Sequence, residues 1–166
     1  MKEQEKIPEF GIKRENEERR DGGCGVIFDP ETKKFAVGRE ESGRLRLFGG
    51  GVSSDEEMQQ GVLREIEEES GLHDFLHIEK LAEVICHFHN SFKKVNRVAY
   101  SVCFFIIIKS RDLKPTELEE HEKFVLDWVT AEELLSNWES RNEGKDHDHW
   151  IYFLKKSLAR AKELGV

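Results

Sequence analysis

The apolar residues of this chain fall into short runs separated by polar turns, with helical stripes between and after them. Cys24–Phe28 is the first run, opened by Gly22 and Gly23. Asp29-Pro30-Glu31-Thr32 has the composition of a turn, and Phe35–Gly38 returns, so a hairpin is predicted. Arg39–Arg46 is a polar loop, and Leu45–Phe48 reads as a short strand running into three glycines. Ile78–His89 reads as a strand with Val84, Cys86 and Phe88 on one face and Ile85, His87 and His89 on the other. A polar turn, Phe92–Asn96, leads to Val98–Ile108, which is apolar on both faces and therefore predicts a central, buried strand. Asp112–His121 is a polar loop, and Phe124–Val129 a last strand. Thr130, with Glu133 three residues on, is a capping box for a helix over Ala131–Trp138. After the loop Ser140–Asp146, a final helix opens at Asp146 or Asp148 and ends near Leu164, with Trp150, Phe153, Leu154 and Leu158 on one face. Residues 1–20 are charged and weakly patterned, a loose arm with an edge strand around Phe10–Lys13 as its one candidate element. This order predicts the α/β class: a mixed sheet with helices packed on its faces.

The stretch Gly49–Leu72 has a different texture. Three glycines, Gly49, Gly50 and Gly51, read as a flexible turn, and a helix rich in glutamate follows. Ser53 with Glu56 fits a capping box at its start, and Gly71 fits a left-handed C-terminal cap. At about 100° per residue, Met58, Val62, Leu63 and Ile66 share one arc, while Glu65, Glu68 and Glu69 share an adjoining one. Like charges at these spacings destabilise a helix by a few tenths of a kcal/mol each, and Arg64 is the only basic residue in the helix. A hard divalent cation resolves that conflict, because carboxylate oxygens are the ligands Mg²⁺ and Mn²⁺ prefer. Backbone N–H groups of Gly49–Val52 are free of side-chain obstruction and suit phosphate oxygens. Together these features predict metal-assisted chemistry on a phosphate ester or anhydride.

Composition narrows the classes of partner. The 166 residues fit a single domain over 1–166 with a substantial core. A net charge of −8 argues against a nucleic-acid polymer or an anionic membrane as partner, since both want a basic patch. Cys24, Cys86 and Cys103 are odd in number and lie in apolar runs, so they read as reduced core thiols of a cytoplasmic protein. The charged N-terminus shows neither a signal peptide nor a membrane span. Oligomeric state is left open, a homodimer included.

Gly50, Glu56, Arg64, Glu65, Ile66, Glu68, Glu69, Gly71 and Leu72 match every specified position of the Nudix box. By this motif the chain resembles the Nudix hydrolases, with the domain expected over roughly residues 20 to 160. The resemblance implies an α/β/α sandwich with the box as a loop–helix–loop beside the sheet. It also implies Mg²⁺-dependent hydrolysis of a phosphoanhydride in a nucleoside diphosphate linked to a further group. A Nudix-like module that binds nucleotide without turnover is the alternative, usually marked by lost box glutamates; none is lost here.

Under the resemblance Glu65, Glu68 and Glu69 are the expected metal ligands, and Gly49–Gly51 the phosphate cradle. Glu56 either serves the capping box, binds metal through water or places Arg64. Arg64 is expected to buttress Glu68. The base is either a box glutamate, Glu68 first, or an acid of the loop before the last strand: Glu119, Glu120 or, as first choice, Glu122. Phe48 stands where family members often carry proline, a difference expected to affect loop stiffness. His147, His149 and Trp150 form either a base-stacking or acid–base cluster, or a helix cap with a core aromatic. Zinc binding by His87 and His89 lacks further ligands at a typical spacing. The substrate is not legible: the places where relatives carry a marker tyrosine or proline hold His87, Phe88, His89 and Asn90.

Overall fold

A computed structural model of the chain describes residues 6–166; residues 1–5, the charged start of the expected arm, lie outside it. The strands are β1 (Glu9–Phe10), β2 (Glu18–Arg19), β3 (Gly22–Asp29), β4 (Lys34–Glu40), β5 (Leu45–Arg46), β6 (Phe48–Gly51), β7 (Phe75–Asn90), β8 (Val95–Ile108) and β9 (Phe124–Val129). The helices are α1 (Met58–Ser70), α2 (Ala131–Glu139) and α3 (Asp148–Leu164). The strands form one mixed sheet whose main path runs β1-β7-β8-β3-β4-β5, with β2 against β8, β6 against β3 and β9 against β4. The central strand β8 pairs antiparallel with β7 and parallel with β3, as its two apolar faces require. The hairpin β3–β4 forms around the expected turn.

Period two on β3 divides the interior. Cys24, Val26 and Phe28 join the core on the side of α2 and α3, with Leu134, Trp138, Phe153 and Leu154. Ile27 joins the opposite core with Val62 and Ile66 of α1, Phe104 and Ile106. The result is an α/β/α sandwich. On the α1 side, Gly23 and Gly25 leave the sheet bare. A Cβ on Gly23 would come within 2.8 Å of the Val62 side chain, and one on Gly25 within 2.7 Å of Ile66. The helix therefore lies directly on the strand backbone.

Several expectations need correction. The three glycines are not a free turn but the body of β6, paired residue by residue with β3 from Gly22↔Gly51 to Gly25↔Phe48. Phe48 is consequently a fully buried strand residue against Phe124, not a loop position. The helix does not start at a Ser53 capping box. Glu57 caps α1, its carboxylate accepting from the N–H groups of Gln59 and Gln60. Ser53–Glu56 is a separate turn. The other ends follow the sequence: Gly71 is left-handed at the α1 C-terminus, and Thr130 caps α2 by accepting from the Glu133 N–H. In place of one N-terminal edge strand there are two two-residue strands, both parallel additions. Cys24, Cys86 and Cys103 are buried and free. Among the described residues no helix is long and apolar enough to cross a membrane.

The entrance to α3 is a packed polar cluster. Arg44 donates through Nε to His147 Nε2 at 2.9 Å and lies over the Trp150 ring. The His147 N–H donates to Asn142, so His147 ties the preceding loop to the helix without capping it by its side chain. Burial drives both rings toward the neutral form. His147 falls to about 4, with the Arg44 charge reinforcing burial against Asp146 and Glu40. His149 falls to about 3, with His147 and Arg44 adding to burial. Both folded values lie below the ordinary 6.5, so as pH falls the unfolded chain takes up these protons first. The stability the neutral rings contribute is complete above pH 6.5 and is lost as pH drops toward the folded values. The melting temperature is expected to fall between about pH 7.5 and about pH 4.5, and to fall less in His149→Phe. An equal pH dependence in the two proteins would contradict a neutral buried His149.

Candidate active site

Because α1 lies on glycines, its glutamates sit at sheet level. Glu65 approaches β6 closely: a Cβ on Gly50 would stand 3.1 Å from the Glu65 carboxyl carbon. Glu69 is buried, its side chain only 1% exposed. It accepts from the Gly49 N–H at 2.8 Å and from Arg46 Nη2 at 3.2 Å. The Gly49 N–H is committed to Glu69, and the Val52 N–H to the Asp21 carbonyl, so these two of the expected phosphate donors are already engaged. The glycines also provide close approach of the helix to the sheet.

Arg64 organises the outer carboxylates. It holds Glu56 through two contacts, Nε at 2.8 Å and Nη2 at 3.1 Å, and reaches Glu65 and Glu68 through Nη1 at 3.2 to 3.3 Å. The expected buttress of Glu68 is present. Glu56 is bound to this arginine rather than serving a capping box, and the hydrogen bond from Arg64 holds its carboxyl below the ordinary value. Gly61 permits that arrangement, since a Cβ there would meet a Glu56 oxygen at 2.8 Å.

The loop between β8 and β9 closes the group. Glu122 is hydrogen-bonded to Glu69 and close enough to Glu65 to raise it. Burial pushes Glu69 up to about 9, and the hydrogen bond with Glu122 adds to this against the pull of Arg46 and the Gly49 N–H. Burial acts in the same sense on Glu122, but Glu69, the Glu119 N–H, Arg46 and His121 together outweigh it and hold Glu122 below its ordinary value. The two carboxyls are thus pushed in opposite directions, Glu69 toward the protonated form and Glu122 toward the ionised one. Glu65 is raised mainly by burial, with Glu68 and Glu122 adding to it. Glu119 donates its N–H to Glu122 and also lines the cleft, whereas Glu120 is exposed and does not.

Four carboxyl groups, Glu65, Glu68, Glu69 and Glu122, are answered here by two guanidiniums, Arg64 and Arg46. Among the described residues no three carboxylate, histidine or thiol side chains are drawn together as a ready metal centre. The donor set nonetheless fits a hard divalent cation: oxygen ligands only, and negative charge in excess of the local cations. The two strand histidines, already short of zinc partners in the sequence, lie apart in their surroundings. His87 is buried between Glu17 and Glu9, and His89 is exposed and bonded to Asn96.

Glu65, Glu69 and Glu122, but not Glu68, line a cleft of about 880 Å³ that runs on to His147, His149 and Trp150 at the start of α3. Arg44 and Arg46 border it from either side of Leu45, the first bonded to His147 and the second to Glu69. Arg20 lies across Gly51 with no ion pair among the described residues. None of these arginines stands out in the sequence, because each acts through a partner far along the chain.

Solved structures share this fold at low sequence identity. The NUDIX domain of Shewanella oneidensis NrtR, solved with ADP ribose, aligns at a TM-score of 0.59 and 17% identity, over 87% of this chain and 90% of that one. A MutT protein from Methanosarcina mazei Go1 aligns at 0.57 and 18%, over 89% and 98%. An Ap4A hydrolase from C. elegans aligns at 0.53 and 15%, over 86% and 98%. In sequence, Nudix hydrolase 7 of Arabidopsis thaliana is 26% identical over 129 residues, 74% of this chain; that match spans only 43% of the relative's length. The family description "NUDIX domain" matches residues 18–152, most of the chain and close to the span the box suggested. With that match and the unbroken motif on α1, the chain belongs to the Nudix hydrolase family.

Proposed function

We propose that the protein hydrolyses a phosphoanhydride bond in a nucleoside diphosphate linked to a further group, with Mg²⁺ or Mn²⁺ as cofactor. The observation that carries this reading is the convergence of Glu65 and Glu69 from α1 with Glu122 from a separate loop at one end of a cleft. Glu65, Glu68 and Glu69 would hold a hard divalent cation, which would supply charge neutralisation to the phosphate oxygens and acidify water. Glu56 acts through Arg64, which fixes the directions of Glu65 and Glu68 by charge-assisted hydrogen bonds. Arg46 keeps Glu69 in place. Arg20, without an ion pair among the described residues and lying over Gly51, is the group we assign to the substrate phosphates beside the glycine strand.

Glu122 is the base in this reading. A carboxylate engaged with a cation is a poor proton acceptor, and Glu122 reaches the group from a polar loop rather than from the helix. Its carboxyl is held below the ordinary value, so it would be ionised near neutral pH and able to take a proton from an attacking water. Glu69, buried and bonded on both oxygens, positions rather than accepts.

Turnover is tested with nucleoside triphosphates, ADP-ribose, sugar nucleotides and dinucleoside polyphosphates in the presence of Mg²⁺ or Mn²⁺. On whichever is cleaved, Glu68→Gln and Glu69→Gln are each expected to lower kcat at least about a hundredfold. Glu69→Gln keeps an oxygen for the Gly49 N–H, so its fold survives. Near-normal turnover in both variants would sink the assignment.

Millimolar Mg²⁺ is expected to raise the melting temperature, since occupancy at about a hundred times Kd stabilises by about 2.7 kcal/mol. EDTA is not expected to unfold the protein, because the two apolar cores do not depend on a cation. A melting curve indifferent to both Mg²⁺ and Mn²⁺ counts against the cofactor.

Glu122→Gln is expected to reduce kcat far more than it weakens cation binding, and to flatten the acidic limb of the pH–rate profile. If Glu119→Gln does this and Glu122→Gln does not, the loop supplies the base from a different residue. Normal turnover in both moves the base to Glu68.

A further inference from the structure

The end of the cleft away from the carboxylates contains a side chain with no structural employment. His149, in the first turn of α3, is 7% exposed and lines the cleft. Its surroundings are aromatic: Phe88 stacks on it at 6.5 Å, Trp150 lies at 5.8 Å, and Phe153 meets it edge-on at 5.9 Å. The other histidines lining the cleft are engaged: His89 bonds Asn96, His121 stacks on Phe92, and His147 Nε2 accepts from Arg44. Among the described residues the His149 ring nitrogens have no hydrogen-bond partner, yet they are not sealed from the cleft as His147 Nδ1 and His77 Nε2 are.

A polar ring so enclosed and unpaired costs free energy unless something satisfies it. Being neutral, it presents one donor and one acceptor, and no protein partner fixes which nitrogen carries the proton. Nor does this end favour an anion. Arg44 is answered by Glu40, and Arg97, the strand partner of Phe88, by Glu18. The unpaired Arg20 lies over Gly51, beside Gly50 and its neighbour Glu65. Arg44 and Arg46 are two residues apart, roughly 7 Å along the chain, and border the two ends. The cleft is thus polarised, ionic toward α1 and neutral, aromatic and hydrogen-bonding toward α3.

We infer that His149 is a specificity-determining residue that exchanges a hydrogen bond with the edge of the nucleobase, held beside the rings of Phe88 and Trp150. This assignment rests on the cleft being the nucleotide site proposed above, and it is tested without turnover. Isothermal titration calorimetry in metal-free buffer compares AMP, GMP, CMP and UMP with ribose 5-phosphate. At least one nucleotide is expected to bind about tenfold more tightly than ribose 5-phosphate. His149→Phe should abolish most of that preference while leaving ribose 5-phosphate affinity unchanged, and His149→Gln should recover part of it. Overturning results are equal affinity of all five ligands, no binding of any, an unaltered preference in His149→Phe, or an equal loss for base-bearing and base-free ligands. If the hydrolase reading fails while this one holds, Mg²⁺ yields no cleavage of any substrate but the His149-dependent preference persists.

Discussion

The depth at which α1 lies on the sheet governs everything at the site. Gly23 and Gly25 remove the side chains that would otherwise stand between β3 and the helix, and Val62 and Ile66 occupy that space. Gly50 repeats the device one strand over, under Glu65. Interiors pack densely enough that a single added methyl is felt, and a shift near 1 Å in a reacting group is costly to catalysis. The glycines therefore act on chemistry through distance. They let a carboxylate-bearing helix settle where Gly49 can bind Glu69 and where the β8–β9 loop, packed along the same helix, can reach it.

That settlement concentrates negative charge, and the protein manages it locally. Arg64 gathers Glu56, Glu65 and Glu68, Arg46 holds Glu69, and Glu69 and Glu122 push each other's carboxyls in opposite directions. Such a site is strained without a cation yet ordered before one arrives, which is what electrostatic preorganisation requires.

Much of this was legible in the sequence, and what escaped did so for physical reasons. The long, unbroken apolar run Val98–Ile108 and the helical stripe of α1 are strong signals, so their elements were plain. The box glutamates were plain because a fixed spacing on one helix needs no knowledge of tertiary structure. Gly49–Gly51 read as a turn because glycine's composition signal cannot separate freedom of φ from lack of bulk; here β3 pairs with them and bulk decides. The start of α1 was misplaced because Glu57 caps it with a longer side chain than the usual capping residues. β1 and β2 are too short to show a period. The engaged state of Glu69 and the roles of Arg44 and Arg46 depend on partners tens of residues away, to which local pattern is blind. The cluster at His147, His149 and Trp150 was visible, but only packing separates the engaged His147 from the unengaged His149.

α2 never touches the carboxylates, yet it grips the segment that borders both ends of the cleft. Asn137 accepts from the Leu45 N–H and donates to the Gly43 carbonyl, and Trp138 donates to the Leu45 carbonyl at 2.7 Å. Leu45 is thereby fixed inward, and Arg44 and Arg46 must face the cleft. Inserting or deleting one residue between Ser42 and Leu47 would turn the arginines inward and a leucine out, unseating Glu69 and His147 in one event. Length variation in this lineage should therefore accumulate elsewhere, for instance in the polar connection between β8 and β9, while the Arg–Leu–Arg triplet keeps its spacing to α2.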